Sequence, residues 1–208
     1  MARINVNPTR MEMQRLRKRL RTAIRGHRLL KDKLDELMKR FLETSREAKR
    51  LRAESETALA RAYSGYAFAR AVMGAEATSV ALMIPARFVS VSVGSKNVMG
   101  VVVPDFGFHE DNGEATYGYS STAVGLDGAV SVFSVAAPLL LALARAEKTA
   151  QLMALEIERT RRRVNALENI MIPDYSETIR YIVMKLEEND SGSKTRLMKV
   201  KEMILTQK

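Results

Sequence analysis

The chain of 208 residues contains no cysteine. Disulfides and thiolate metal sites are therefore excluded, and the composition fits a reducing compartment. Histidine is nearly absent too: His27 and His109 lie in unrelated segments, with no spacing that would make them joint metal ligands. Neither G-x-x-x-x-G-K-[ST] nor G-x-G-x-x-G occurs, so no phosphate-cradling loop can be read. The opening MARINVNPTR lacks the apolar core of a secretory signal. Long apolar runs are missing as well. The longest uncharged stretch, GAVSVFSVAAPLLLALA (128–144), has 17 residues and includes Pro138. A spanning helix needs roughly 20 apolar residues, so this stretch reads as a buried or partner-facing helix start, with no direct membrane insertion. Glu187 and Glu188 are adjacent carboxylates, but acid–base work needs a cleft, and they read as a solvated helix surface. These absences leave no readable catalytic, cofactor-binding or metal site, and the chain is not expected to be an enzyme by itself.

What is present is charge, unevenly spread. The net charge is +10, yet residues 1–52 alone hold 17 Lys/Arg against 6 Asp/Glu. Residues 74–128 are acidic, with 6 against 2, and residues 145–208 hold 13 basic against 10 acidic. The excess belongs to the N-terminal quarter, and such a region should meet something acidic: a nucleic acid, an anionic membrane surface or a protein.

That quarter also carries a long apolar rhythm. Leu16, Leu20, Ala23, His27, Leu30, Leu34, Leu37 and Phe41 follow Met13 in alternating steps of 3 and 4. The register continues through Thr44, Ala48, Leu51, Ser55, Ala58, Ala62, Gly65, Ala69 and Val72. Such alternation keeps one stripe facing a partner helix, as in a coiled coil. Thr9 with Glu12 forms a T-x-x-E capping box after Pro8, so the helix should run from about residue 10 to about 73 and stop near Gly74. His27 on this seam reads as a register device rather than a ligand, and His109 as solvated.

A second stripe, Leu143, Ala146, Ala150, Met153, Ile157, Thr160, Val164, Leu167 and Met171, keeps the same rhythm. It resumes at Ile179, Ile182 and Leu186 after a step of eight residues, one more than a heptad. Pro173 should kink or break the helix there, and NDSGS (189–193) reads as a weak point before a last helical piece with Leu197, Val200 and Ile204. Between the stripes, FVSVSV, GSKN and VMGVVVP read as a β-hairpin over about residues 88–103, its turn at 94–97. Residues 105–128 read as exposed acidic loop or short helix.

The fold class is thus mainly α: a long antiparallel two-helix coiled coil of the N- and C-terminal helices, with a small β-hairpin-containing middle module. The expected divisions are 1–78 for the first helix, 79–128 for the middle module and 129–208 for the last helix.

The basic segment RMEMQRLRKRLRTAIRGHRLLKDK (10–33) has ten Lys/Arg among its 24 residues. A basic helix followed by heptads is the pattern of a zipper-type DNA reader, whose basic region is unpaired and enters the major groove. Here leucines stand among the arginines, so the helix wants a partner, and the basic residues line the outside of the pair. Docking against an acidic protein surface fits best; a scaffold or a nucleic-acid-binding protein is the alternative. Arg161, Arg162 and Arg163 pose the same choice, between a solvated face and bidentate docking to a partner carboxylate.

VNPTRMEMQRLRKRLRTAIRGHRLLKDKLDELM and TRRRVNALENIMIP…IRYIVMKLEEN, with FVSVSVGSKNVMGVVVP between them, strongly resemble the D subunit of archaeal (A-type) and vacuolar (V-type) rotary ATPases. The resemblance spans nearly the whole chain and implies a non-catalytic central-stalk rotor shaft that carries torque during ATP synthesis or ion transport. The implied partners are the A and B subunits of the catalytic hexamer, the F subunit, and the funnel-shaped subunit joining the stalk to the membrane ring. No nucleic acid is expected. The implied place is peripheral, on the cytoplasmic side of a membrane-bound complex. Arg15, Arg17, Arg19, Arg25 and Lys31 would then contact acidic groups inside the hexamer.

Overall fold

A computed structural model of the chain describes residues 4–84, 88–111, 117–118 and 122–206. In chain order the elements are α1 (Arg10–Met73), α2 (Ala75–Ala81), β1 (Val89–Val98), β2 (Val101–Glu110), α3 (Val124–Ala166), a π-turn (Leu167–Met171) and α4 (Ile172–Thr206). They divide into two compact units, Met1–Glu36 with Glu158–Lys208, and Leu37–Ile157. The helix α1 contributes to both.

Both ends of α1 lie where local chemistry puts them. The Thr9 hydroxyl accepts the Glu12 backbone N–H at 3.2 Å, satisfying one of the donors a helix start leaves over. At the other end Gly74 takes φ 84°, a conformation that costs glycine nothing and stops the helix.

In the first unit α1 pairs with α4, and the partners run in opposite directions. Arg10 meets Asp190 at 3.1 Å and His27 meets Glu168 at 3.4 Å. Leu16 and Ile182 are fully buried, each worth about 1.5–3 kcal/mol relative to exposure. The Ile4 N–H donates to the Thr178 hydroxyl at 3.3 Å, which itself donates to the Asp174 carbonyl at 2.7 Å, so the segment before α1 covers that part of α4.

In the second unit α1 pairs with α3, again antiparallel. Arg52 meets Glu147 at 2.6 Å, and the rings of Tyr63 and Phe133 stand edge to face with centroids 5.4 Å apart. The seam here is built of small residues: Ala48, Ala62 and Ala69 of α1, with Ala129, Ala136 and Ala146 of α3, are all buried. A Cβ on Gly65 would lie 3.3 Å from that of Ala129, so the backbones approach closely there. The expected stripe is buried or half-buried along nearly its whole length; Val72 and Met171, at 62% and 41% exposed, fall outside it.

The hairpin lies against this second pair. Val101 and Val103 point to one face, as alternate strand residues must, and cluster with the fully buried Leu37, while Leu152 and Ile157 pack alongside. Val102, between them, is exposed. The turn is not at GSKN: residues 94–97 continue β1, paired with Val102–Asp105, and the chain reverses at Met99–Gly100. Both turn residues have positive φ, 55° and 85°, which matches the twist of a two-residue hairpin, and the Asn97 side-chain carbonyl accepts the Gly100 N–H at 2.8 Å. The strand β2 then runs to Glu110, into the segment expected to be loop.

Two further expectations are corrected in α4. Pro173 neither breaks nor ends the helical path. Its ring would clash with the Asn169 carbonyl in a regular α-helix and it has no N–H to donate. The π-turn immediately before it loosens that turn and takes up one extra residue. The stripe resumes at Thr178, seven residues after Met171 and one before the expected Ile179, and Thr178 and Ile182 lie on the seam at 1% and 0% exposed. NDSGS is uninterrupted helix as well. A glycine in a helix costs only about 1 kcal/mol, which strong helix formers on both sides outweigh. Beyond it Leu197, Val200 and Ile204 are exposed, because α1 begins only at Arg10, opposite Asp190. The helix α2 follows Gly74 where no element was expected.

Candidate functional site

The eight basic residues singled out above all lie in the first unit, and all eight are exposed. Arg15, Arg17, Arg19, Arg25 and Lys31 stand off the α1 seam, because Leu16, Leu20, Ala23, His27, Leu30 and Leu34 between them turn inward. The packing of one stripe dictates the exposure of the other. Arg161, Arg162 and Arg163 flank the buried Thr160 and Val164 of α3 in the same way.

Little of this charge is used within the chain. Arg15 bonds Glu12 at 3.2 Å, one turn earlier, and Arg162 pairs with Glu158. Among the described residues no carboxylate pairs with Arg17, Arg19, Arg25, Lys31, Arg161 or Arg163. Exposed pairs of the Arg15–Glu12 kind contribute about 0–1 kcal/mol and exchange partners at little cost. The structure therefore holds exposed positive charge on the outside of a helix pair, most of it without a carboxylate partner among the described residues.

The remaining candidates separate from this surface. The ring of His27 is largely buried on the seam, its Nε2 at 3.4 Å from a carboxylate oxygen of Glu168. His109 stands exposed on β2, opposite Ser90. Glu188 is exposed and bonded to Lys185 at 2.8 Å. That hydrogen bond holds the Glu188 carboxyl below its ordinary range and the Lys185 ammonium above its own. Among the described residues no group of three or more His, Asp or Glu is placed to hold a metal.

Exposed apolar side chains in the other unit were read from the sequence only in part, through the 128–144 stretch expected to be buried or partner-facing. Tyr63, Phe68, Val72, Val80, Val124 and Val135 are each at least 60% exposed. The start of α3 belongs to the same apolar surface. By length and composition this is the one stretch among the described residues apolar enough to cross a membrane, and only 17% of it is buried within the chain. Part of its signal was present, since these residues apart from Val72 lie outside the 3-4 register and so have no seam to enter.

Against this geometry the comparisons are specific. A protein-family model for the D subunit of ATP synthase matches residues 12–202. The chain belongs to that family. A V-type ATP synthase D subunit of Clostridioides difficile is 60% identical over 99% of this chain and 94% of its own length. Its counterparts in Acetivibrio thermocellus and Clostridium novyi are each 52% identical, over 100% and 98% of this chain and 95% and 97% of their own lengths. The family match runs through both compact units, and so through the basic surface, the hairpin and the apolar surface alike.

Proposed function

We propose that this chain is the central-stalk rotor shaft of an A/V-type ATP synthase, transmitting torque between a catalytic hexamer and a membrane ion-translocating ring, and is itself non-catalytic. One observation carries the reading: an antiparallel helix pair with a buried seam presents a basic outer face, and six of its eight singled-out cations have no carboxylate partner among the described residues. Two supercoiled helices resist twisting, as a torque-bearing element must. Their charged face can change partners at each step, whereas a large apolar interface would hold one position. In this reading the first unit enters the hexamer of A and B subunits, where Arg15, Arg17, Arg19, Arg25, Lys31 and Arg161–Arg163 meet acidic groups. The F subunit and the funnel-shaped subunit cover the apolar surface of the second unit, so the α3 start meets protein rather than lipid. The chain is then peripheral, on the cytoplasmic side of the membrane.

The test is reconstitution. Combining Arg17→Glu, Arg19→Glu and Arg25→Glu, at three exposed positions off the seam, should lower coupled ATPase activity about tenfold while the melting curve stays unchanged. Full activity of that variant would remove the basic face from the mechanism. Failure of the native chain to join the hexamer would remove the rotor reading itself, and tight, sequence-selective DNA binding would favour the alternative.

A further inference from the structure

The basic face of the first unit is interrupted by an open groove of about 570 Å³, within the range of roughly 300–1,000 Å³ for ligand clefts. Its floor is Ala23 and Gly26 of α1 with Leu167, Met171 and Tyr175 opposite; its rim is Arg15, Lys18 and Arg19. Two sequence features open it. A Cβ built on Gly26 would meet nothing within 4 Å, so the glycine leaves a gap that it does not need for its own backbone. Across from it is the π-turn, where the widened backbone leaves Met171 41% exposed on a position that the heptad count assigns to the seam. Among the described residues no carboxylate pairs with Lys18 or Arg19, and Arg15 holds only its neighbour Glu12.

We propose that this groove is an anchor site for a partner segment carrying an apolar side chain flanked by carboxylates. The floor accepts the apolar chain, Lys18 and Arg19 take the carboxylates, and Arg15 exchanges Glu12 for a partner's carboxylate. Charge complementarity selects this occupant: an apolar segment alone would leave Lys18 and Arg19 unanswered. A single-stranded nucleic acid would need stacking platforms, and Tyr175 is the one aromatic in the groove; a duplex, held through its phosphates, would leave the apolar floor unfilled. The inference rests on the rotor reading and adds to it a point of contact that engages and releases, beside a face that otherwise makes polar contacts.

Two measurements on the full chain in the reconstituted complex test it. Gly26→Leu fills the groove without touching the seam, and Gly192→Leu makes the same change where a Cβ also meets nothing within 4 Å. The chain concentration that half-saturates stimulation of hexamer ATPase should rise about tenfold for Gly26→Leu, the loss of one hot-spot contact, and stay near native for Gly192→Leu. Equal behaviour of the two overturns the groove while leaving the rotor reading intact. If the native chain does not stimulate the hexamer, both fall. Replacing Tyr175 with the photo-crosslinker p-benzoylphenylalanine should capture a peptide with an apolar residue adjacent to Asp or Glu. Capture of a peptide without carboxylates, or of none in an assembled complex, overturns the proposal.

Discussion

The π-turn before Pro173 makes a sharp energetic prediction. Asn169 lies within Leu167–Met171, a π-turn, which holds one residue more than a regular α-helical turn would. Deleting Asn169 should therefore convert the π-turn to regular α-helix and leave Thr178 and Ile182 on the seam. The cost should come from the proline alone. In a regular helix its ring meets the carbonyl four residues earlier and its missing N–H leaves an acceptor unpaired, together about 3 kcal/mol. The single deletion should lose about that much, Pro173→Ala alone should be near neutral, and the two combined should return to within about 1 kcal/mol of the native chain. Deletion of Gln151, in the regular part of α3, is the contrast: everything on one side turns by about 100°. With Met153 and Val164, buried at 2% and 8% exposed, taken off the seam, it should cost about 3–6 kcal/mol. Pro173→Ala should not restore that loss. Urea unfolding followed by helical circular dichroism measures all of these. A combined variant still about 3 kcal/mol down would show that the π-turn does not carry the phase, and the reasoning would fail.

Three smaller perturbations probe other elements. Met99 holds φ 55°, a left-handed conformation that costs a non-glycine residue about 1–2 kcal/mol; Met99→Gly should raise the melting temperature, and a fall would show that the Met99 contact with the Leu37 cluster outweighs the relief. The Thr160 hydroxyl is buried with no hydrogen-bond partner among the described residues, so Thr160→Val, nearly the same shape, should stabilise by about 1 kcal/mol in urea titration; a loss would point to a bond formed by that hydroxyl in solution. The Lys185–Glu188 pair makes a pH prediction. Glu188 is held low, so its contribution is present above the ordinary carboxylate range and lost as pH falls through the lowered value. Lys185 is held high, so its contribution is present below the ordinary ammonium range and lost as pH rises through the raised value. The small melting difference between the native chain and Glu188→Gln should thus appear only between those limits, and should shrink in high salt because both groups are exposed.

How much of this was legible before folding depends on the range of the interaction. The helix from Arg10 to Met73 was readable because its cap at Thr9, its stop at Gly74 and its stripe are all encoded within a few residues of where they act. The eight cations were readable as exposed for the same reason, since leucines at fixed spacing leave them no inward direction. The hairpin was readable as a hairpin, but its turn was misplaced by a few residues. GSKN carries familiar turn residues, whereas Met99–Gly100 is favoured because it sets a register that puts Val101 and Val103 against Leu37. Pro173 and NDSGS were read as breaks because local preference disfavours helix there; a π-turn absorbed one, and flanking helix formers the other.

The sequence by itself determined that two long helices must pair through a stripe, that the charge must lie outside it, and that no thiol or phosphate-loop chemistry is available. These follow from periodicity and composition, which survive any arrangement of the partners. Tertiary structure alone decided what stands opposite each residue. Among the described residues it placed most of the singled-out cations beyond reach of the chain's own carboxylates, left the start of α3 uncovered, and opened a groove between Gly26 and the π-turn. Each depends on pairing between segments far apart in sequence, as Tyr63 with Phe133 and His27 with Glu168 are, where no local pattern reaches.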